Sequence, residues 1–327
     1  MRYFITACLV LWTSMAHAYE IEAQTEFNVE GATSTLSIIS TTDTAVFAPV
    51  IASFQVANPQ INVTYTAASS SQINTAIVEE NAQFDIAISS AMDLQTKLAN
   101  DGYAESFDLS STTLVPNWGT WRNSIFAFSQ EPATIVLNRA AFKGQKIPQT
   151  RAELITLLRN QPKKYERSIG TYDVRTSGLG YLFATQDSRT SETFWRLTEL
   201  MGQLKVKLYC CSSDMIEDVS TGEIAIAYNV LGSYAAARDD LAEKIVIIEP
   251  QDYATVMLRT ALILKDSKAQ RAAGLFMDHL LSEAWNEQPI NQGQNLRRIP
   301  LGPGLLVFLD RLKRQQFLQE WSSAIFQ

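Results

Sequence analysis

The chain has 327 residues, of which 46% are hydrophobic and 19% are charged. These proportions are typical of a globular protein, and they exclude a disordered chain, a fibre and a small disulfide-stapled scaffold. Acidic residues outnumber basic ones by 34 to 27, and the resulting net charge of −7 argues against nucleic acid as a partner. At roughly 150 residues per domain, the length favours two domains.

The first 18 residues predict a cleavable secretory signal peptide. Arg2 supplies the positive charge, residues 3–12 form a mostly apolar run, and the small residues of Ala16-His17-Ala18 place the cleavage before Tyr19. The apolar run is too short for a membrane anchor, which needs about 20 apolar residues. Ile5-Thr6-Ala7-Cys8 loosely fits a lipidation box, but the apolar run continues past it. We therefore expect an exported protein in the bacterial periplasm.

The stretch that follows alternates apolar strands with amphipathic helices. Three strands are predicted, at residues 35–39, 61–66 and 84–89. Pro49 fits the first helix only if it lies in the first turn, where no intrahelical N–H is needed. Ser90 and Asp93 resemble a capping box at the start of the third helix. Strands that alternate with helices imply βαβ units and a mainly parallel sheet.

The middle of the chain predicts a second lobe. Two short strands are expected at residues 125–128 and 134–137, separated by a turn at Gln130-Glu131-Pro132. A later helix is expected to be capped by Ser212-Ser213. A strand at residues 256–264 is predicted to return the chain to the first lobe. We assign residues 19–120 and 255–327 to lobe 1 and residues 121–254 to lobe 2.

Small hydroxyl residues follow several predicted strands, at the point where the strand ends and a helix begins. They are Ser40, Thr41, Thr42, Ser69, Ser70, Ser71, Ser89, Ser90, Thr176 and Ser177. In a parallel α/β sheet such loops gather at the carboxyl ends of the strands, where ligands bind. Helix N-termini there carry free N–H groups and a partial charge of about +0.5. Each cluster alone is explained by helix capping, but together they predict a receptor for an anionic group.

Two arginines and one strand end are further candidate contacts. Arg175 lies in a loop before a helix, and Arg122 follows Trp121 at the expected crossing between the lobes. A guanidinium can hold a carboxylate or phosphate in a bidentate fork, although a surface ion pair is the alternative for both residues. Tyr228 and Asn229 end a strand that is expected to face the same crevice.

The sequence lacks the motifs of several enzyme classes. It contains no GxxxxGK[ST] phosphate loop, no GxSxG elbow, no HExxH zinc motif and no CxxC. His17 and His279 are the only histidines, which argues against histidine catalysis and His-rich metal sites. We therefore expect a protein that is not an enzyme and that holds neither a cofactor nor a resident metal.

Cys210 and Cys211 are the two cysteines that remain after the predicted cleavage. Because they are adjacent, they cannot staple two distant segments within one molecule. The alternatives are two buried thiols or a vicinal disulfide. A redox or metal role is a further alternative, although no other cysteine and no nearby histidine completes a ligand set.

Three segments carry a family resemblance: FDIAISSAMDLQ at residues 84–95, Glu131-Pro132, and IAYNVLGSY at residues 226–234. They resemble periplasmic solute-binding proteins of ABC transporters, of the ferric-ion-binding-like type. The resemblance implies the type II fold: two α/β lobes with mixed, mainly parallel sheets flanked by helices and joined by a hinge. It also implies that a solute is captured between the lobes, which close around it.

One position departs from the iron-binding members of that group, which share a consecutive tyrosine pair in the second lobe. Here Asn229 follows Tyr228, and Tyr234 comes six residues later. Relatives that bind phosphoglycerate or sugar phosphates fit the hydroxyl and arginine loops better than iron binders do. The resemblance therefore implies a monomer that binds an organic phosphate or a small carboxylate.

The same resemblance implies that this solute is delivered to an ABC permease. The alternative is a periplasmic sensory subunit that binds the same kind of anion and signals to a membrane histidine kinase. An exported hydrolase is a third reading, but it needs a nucleophile and a base that the sequence does not show.

Overall fold

A computed structural model describes residues 19–108, 110, 115–287 and 295–327, and the predicted signal peptide lies outside these ranges. The strands are β1 Ala23–Phe27, β2 Ser34–Ser40, β3 Ile61–Ala67, β4 Ile86–Ser89, β5 Thr120–Trp121, β6 Ile125–Asn138, β7 Ile169–Tyr172, β8 Lys207–Tyr209, β9 Ile226–Leu231, β10 Ile245–Ile248, β11 Ala254–Ile263 and β12 Leu296–Arg298. The helices are α1 Thr44–Ala57, α2 Ser70–Asn74, α3 Met92–Asn100, α4 Arg151–Asn160, α5 Pro162–Tyr165, α6 Gly178–Thr190, α7 Thr193–Gln203, α8 Ser212–Thr221, α9 Gly232–Ala236, α10 Gln270–Glu287 and α11 Arg311–Ile325. A π-helical turn at Thr75–Glu79 extends α2.

The strands join in a mixed sheet with the order β1-β3-β2-β4-β11-β6-β9-β7-β8. In the first half of the chain β2 pairs in parallel with β3 and β4, and in the second half β7 pairs in parallel with β8 and β9. The long strands β6 and β11 pair antiparallel with each other and connect the two halves. This arrangement is the two-lobed α/β fold that the sequence predicts.

Strand β6 differs from the prediction of two strands separated by a turn. It is continuous over 14 residues and includes Pro132. Pro132 lies opposite Val256 at the end of the pairing with β11, and Ala133 begins the pairing with β9 opposite Leu231. The proline therefore lies where the strand changes partners, so its missing N–H interrupts neither ladder.

Two predicted helix starts are also wrong. Pro49 is the sixth residue of α1 rather than a first-turn residue. It is tolerated because Pro49 and Ala45, whose carbonyl loses a donor, both lie on the exposed face. Ser90 does not cap α3: Ala91 occupies the cap position, and the Asp93 carboxylate accepts from the N–H of Leu94 instead.

The first lobe has its own hydrophobic core, formed by α1, α10 and the strands β2, β3 and β4. A second core lies between β6, β9 and the helices α4, α6 and α7. We assigned the whole C-terminal segment to lobe 1, but Phe317 and Trp321 of α11 pack into this second core. Within the described residues no helix is both long enough and apolar enough to cross a bilayer.

Candidate functional site

A cavity of about 80 Å³ lies between the two halves of the molecule. Thr41 follows β2, Ser69 and Ser70 follow β3, and Ser90 follows β4, so the first half contributes the carboxyl ends of three neighbouring strands. The second half contributes the loops after β7 and β8. The hydroxyl residues of the lining are Thr41, Ser69, Ser70, Ser90, Thr176, Ser177, Ser212 and Ser213. Six of them belong to the fourteen residues that the sequence selects.

Two helices of the second half begin at this cavity. Ser177 caps α6 by accepting from the N–H of Gly180 at 3.1 Å. Helix α8 begins at Ser212, and its cap residue Cys211 makes no side-chain capping bond, contrary to the prediction that Ser212-Ser213 caps it. The first-turn N–H groups and the positive dipole ends of two helices therefore point toward the cavity wall.

Three of the selected hydroxyl residues are buried behind the cavity wall and support its loops. The Ser40 hydroxyl accepts from the N–H of Thr42 at 3.0 Å, and the Ser89 hydroxyl accepts from the N–H of Ala91 at 3.1 Å. The Thr42 hydroxyl accepts from Arg259. These residues therefore stabilise the loops that face the cavity and do not line it themselves.

Ser71 and Arg175 line a neighbouring cavity of about 270 Å³. The Arg175 guanidinium is exposed and pairs with Asp173 through Nε–Oδ1 and Nη2–Oδ2 distances of 2.8 and 2.6 Å. One face of the guanidinium lies over the ring of Phe326, 4.6 Å from the ring centre. The surface ion pair is therefore the role that the structure gives to Arg175. Thr176 separates the two cavities and lines both.

The remaining selected residues do not line either of these cavities. Tyr228 lies inside the second lobe, where its hydroxyl accepts from Arg151 Nε at 2.8 Å. Asn229 donates to the buried Asp187 carboxylate at 3.2 Å. Arg122 lies in a turn with φ of 54°, and its guanidinium stacks on Trp121 at 4.5 Å.

Arg259 is the main lining residue that the sequence analysis missed. It lies on β11, is only 4% exposed, and forms a two-bond ion pair with Glu131 at 2.7 Å and 3.1 Å. Its remaining terminal nitrogen donates to Thr42 and to the Tyr234 hydroxyl. Although burial alone would raise the pKa of Glu131, the guanidinium holds it below its usual range. A single charged residue within an otherwise uncharged strand was the sequence signal for Arg259.

Two carboxylates of the lining were also missed, because the sequence analysis looked for hydrogen-bond donors. Glu22 precedes β1, and Asp43 occupies the cap position of α1 without making a capping bond. Burial, followed by the charges of Asp43 and Asp214, raises the pKa of Glu22. Burial also raises the pKa of Asp43, although Arg259 opposes this shift.

The two cysteines form a vicinal disulfide in the cavity wall. Cys210 is exposed and Cys211 is half-buried, so the alternative of two buried thiols does not apply. Both sulfur atoms are bonded to each other and therefore offer no thiolate to a metal.

The two halves touch directly beside the cavity. The Ser71 hydroxyl donates to the carbonyl of Thr176 at 3.4 Å, and the Tyr234 hydroxyl donates to the carbonyl of Thr41 at 3.5 Å. Gly178 fits against Ser70 because it has no side chain: a Cβ there would collide with the Ser70 hydroxyl. The two halves are thus in direct contact beside the cavity.

Solved structures share this architecture. A substrate-binding protein of an ABC transporter from Agrobacterium tumefaciens is 33% identical, with 93% of this chain and 98% of that chain covered and a TM-score of 0.87. The periplasmic binding protein AfuA from Actinobacillus pleuropneumoniae, solved with fructose-6-phosphate, is 17% identical, with coverages of 90% and 99% and a TM-score of 0.70. Iron-bound HitA from Pseudomonas aeruginosa is 15% identical, with coverages of 89% and 99% and a TM-score of 0.66.

No curated protein sequence matches the chain significantly. The profile of a protein family described as bacterial extracellular solute-binding protein matches residues 36–287. This match spans most of the chain and includes the loops that line the cavity from both lobes. An extracellular family also fits a periplasmic location. The chain therefore belongs to the family of bacterial extracellular solute-binding proteins, whose members in ABC transport work with membrane permeases.

Proposed function

We propose that this protein captures a small anionic solute, an organic phosphate or a carboxylate, and delivers it to the permease of an ABC importer. The observation that carries the proposal is the interlobe cavity, onto which eight hydroxyl residues and the N-termini of α6 and α8 converge. Free N–H groups and hydroxyls bind an anion without a net positive charge. The fold that the chain shares with AfuA, which was solved with a sugar phosphate, is consistent with this proposal.

A ferric site of the tyrosine-pair type is not part of the proposal. The Tyr228 hydroxyl is engaged by Arg151 inside the second lobe, and its neighbour is Asn229. Tyr234 is the tyrosine of this segment that reaches the cavity, and its hydroxyl contacts Arg259. A cation next to a tyrosine favours its anionic form, but here burial outweighs this effect and raises the pKa of Tyr234.

A ligand panel tests the proposal. The protein is stripped of bound solute by unfolding and refolding, and its melting temperature is measured with phosphate esters, short carboxylates, uncharged sugars and ferric citrate. Binding to the folded state stabilises it by about 2.7 kcal/mol at a ligand concentration of 100 Kd, so a member of the anionic classes should raise the melting temperature. Stabilisation by an uncharged sugar alone, or by ferric ion alone, would refute the anion assignment.

A variant of Thr176 then tests whether the anion binds in the interlobe cavity. Thr176→Val removes a hydroxyl from the cavity wall and keeps the side-chain shape, so we expect an affinity loss of about fivefold to tenfold for the anion found above. Thr156→Val is the matched control, because Thr156 donates to the carbonyl of Ala152 on the exposed face of helix α4, outside this cavity. Equal affinities of the two variants would place the binding site elsewhere.

A further inference from the structure

The charges around the cavity do not match a purely anionic solute. Glu22 and Asp43 line it, and the cationic Arg259 that also lines it is already neutralised by Glu131. Nε and Nη2 of Arg259 are used by Glu131, and Nη1 is used by Thr42 and Tyr234. Anion binding is therefore left to hydroxyls and helix N-termini, while Glu22 and Asp43 form no ion pair with any of the described residues, and only Asp43 is influenced by the Arg259 charge.

The charge of a third carboxylate, from the second lobe, acts on Glu22 and Asp43. Glu22 and Asp43 belong to the first lobe, whereas Asp214 lies in the first turn of α8 in the second lobe. The Asp214 charge acts on both of the others, since it helps to raise the pKa of Glu22 and of Asp43. Among the described residues, no hydrogen bond or ion pair reaches the Glu22 or Asp43 carboxylate. Like charges from the two lobes thus repel one another in this arrangement, and a cation between them would relieve this repulsion.

We propose that the captured solute carries an ammonium group in addition to its acidic group, and that Glu22 and Asp43 bind this ammonium. The inference rests on the proposed function, because the acidic group of the solute takes the hydroxyls and the helix N-termini. A small cavity that is lined by hydroxyl donors and by carboxylates fits a compact zwitterion, such as an amino acid or an aminoalkyl phosphate. Asp214 adds its charge from the second lobe, so the ammonium favours the closed form.

Matched pairs of ligands test this proposal by calorimetry on the stripped protein. 2-Aminoethyl phosphate is compared with ethyl phosphate, and β-alanine with propionate. In at least one pair we expect the amine-bearing member to bind tenfold or more tightly than its partner. Equal or tighter binding of the partners without the amine would overturn the ammonium inference and leave the proposed function intact. Binding of ethanolamine or Ca²⁺ in the absence of any response to acids would overturn both.

Charge-neutral variants test whether Glu22 and Asp43 bind the ammonium group. In the double variant Glu22→Gln, Asp43→Asn, the preference for the amine-bearing member should fall at least tenfold, and the affinity for ethyl phosphate should rise. Glu30→Gln removes one exposed negative charge outside the cavity and should leave the preference unchanged. The double variant should also melt at the same or a higher temperature without ligand, because repulsion is removed. An unchanged preference in a folded double variant would refute the assignment.

Discussion

Neutralising Glu131 should show how much the buried ion pair between Glu131 and Arg259 contributes to the stability of the folded protein. The Arg259 and Glu131 side chains are 5% and 7% exposed. Two unit charges about 4 Å apart attract each other by about 4 kcal/mol at an effective dielectric constant of about 20. Glu131→Gln leaves the guanidinium buried and unpaired, and such a loss costs about 3–5 kcal/mol of the free energy of unfolding. That is a large fraction of the about 5–15 kcal/mol that stabilises a typical protein.

Urea unfolding at pH 7, followed by circular dichroism, measures this loss. Adding Arg259→Met to Glu131→Gln removes the orphaned charge and should recover at least half of the lost stability, because apolar replacement of a buried pair is often neutral. A loss below about 1 kcal/mol for Glu131→Gln, with an unchanged urea dependence, would refute the reasoning. So would a double variant that is less stable than the single one.

The pH dependence gives an independent check on the same pair. The folded-state pKa of Glu131 lies below the unfolded value of about 4.3, so the pair contributes its full stability above about pH 4.3. This contribution is lost as the pH falls through the folded pKa. The stability difference between wild type and Glu131→Gln should therefore be constant from pH 7 to about pH 5 and shrink below about pH 4.3. A stability difference that grows on acidification would contradict the lowered pKa of Glu131 in the folded state.

Three further changes should have separable effects. Gly178→Ala places a Cβ against the Ser70 hydroxyl, and calorimetry should show an affinity loss of about tenfold because the lobes cannot close fully. Burial raises the pKa of Asp93 to about 7, so the folded state holds a proton that the unfolded state releases between about pH 4 and about pH 7. Urea unfolding should show that Asp93→Asn is more stable than wild type at pH 8, by up to about 4 kcal/mol, and gains much less at pH 5. Gly202→Ala pushes α7 against the backbone of Ala324 in α11, and thermal unfolding should report a loss of about 1–3 kcal/mol.

Controls for these variants are available in the chain. Gly304→Ala adds a Cβ that meets nothing within 4 Å, so it should change neither affinity nor stability appreciably. Ser70→Gly added to Gly178→Ala removes the collision, so the double variant should bind as tightly as Ser70→Gly alone. Asp93→Asn with the same pH dependence as wild type would show that another group holds the proton. A Gly202→Ala protein as stable as wild type would show that α11 can move away at no cost.

Local patterns were enough to predict the fold class. Apolar β-branched runs followed by small polar loops and amphipathic helices identified β2, β3 and β4, and the parallel pairing of β2 with both neighbours is the arrangement that such βαβ units imply. The same pattern placed Thr41, Ser70 and Ser90 at the carboxyl ends of these strands. Their convergence on one cavity needed only the geometry of a parallel sheet, in which strand ends meet at one edge.

The charge of the site was decided by tertiary structure alone. Arg259 and Glu131 are 128 residues apart in the chain, and they meet because β6 runs through Pro132 and pairs with β11. The sequence therefore shows an arginine, but only the fold shows that Glu131 neutralises its charge. In the same way, Arg175 is a good candidate anion ligand until Asp173 is seen to occupy its guanidinium.

Propensities act over a few residues and so determine strands, helices and the loops between them. The pairing of buried charges, the contacts between the lobes and the effect of the Asp214 charge on Glu22 and Asp43 depend on segments that are distant in sequence. Electrostatic energy depends on spatial distance and on burial, and neither quantity is encoded in local order. Hence the sequence alone determined which strand-end loops gather at the cavity, whereas only the folded chain determined which charges line it.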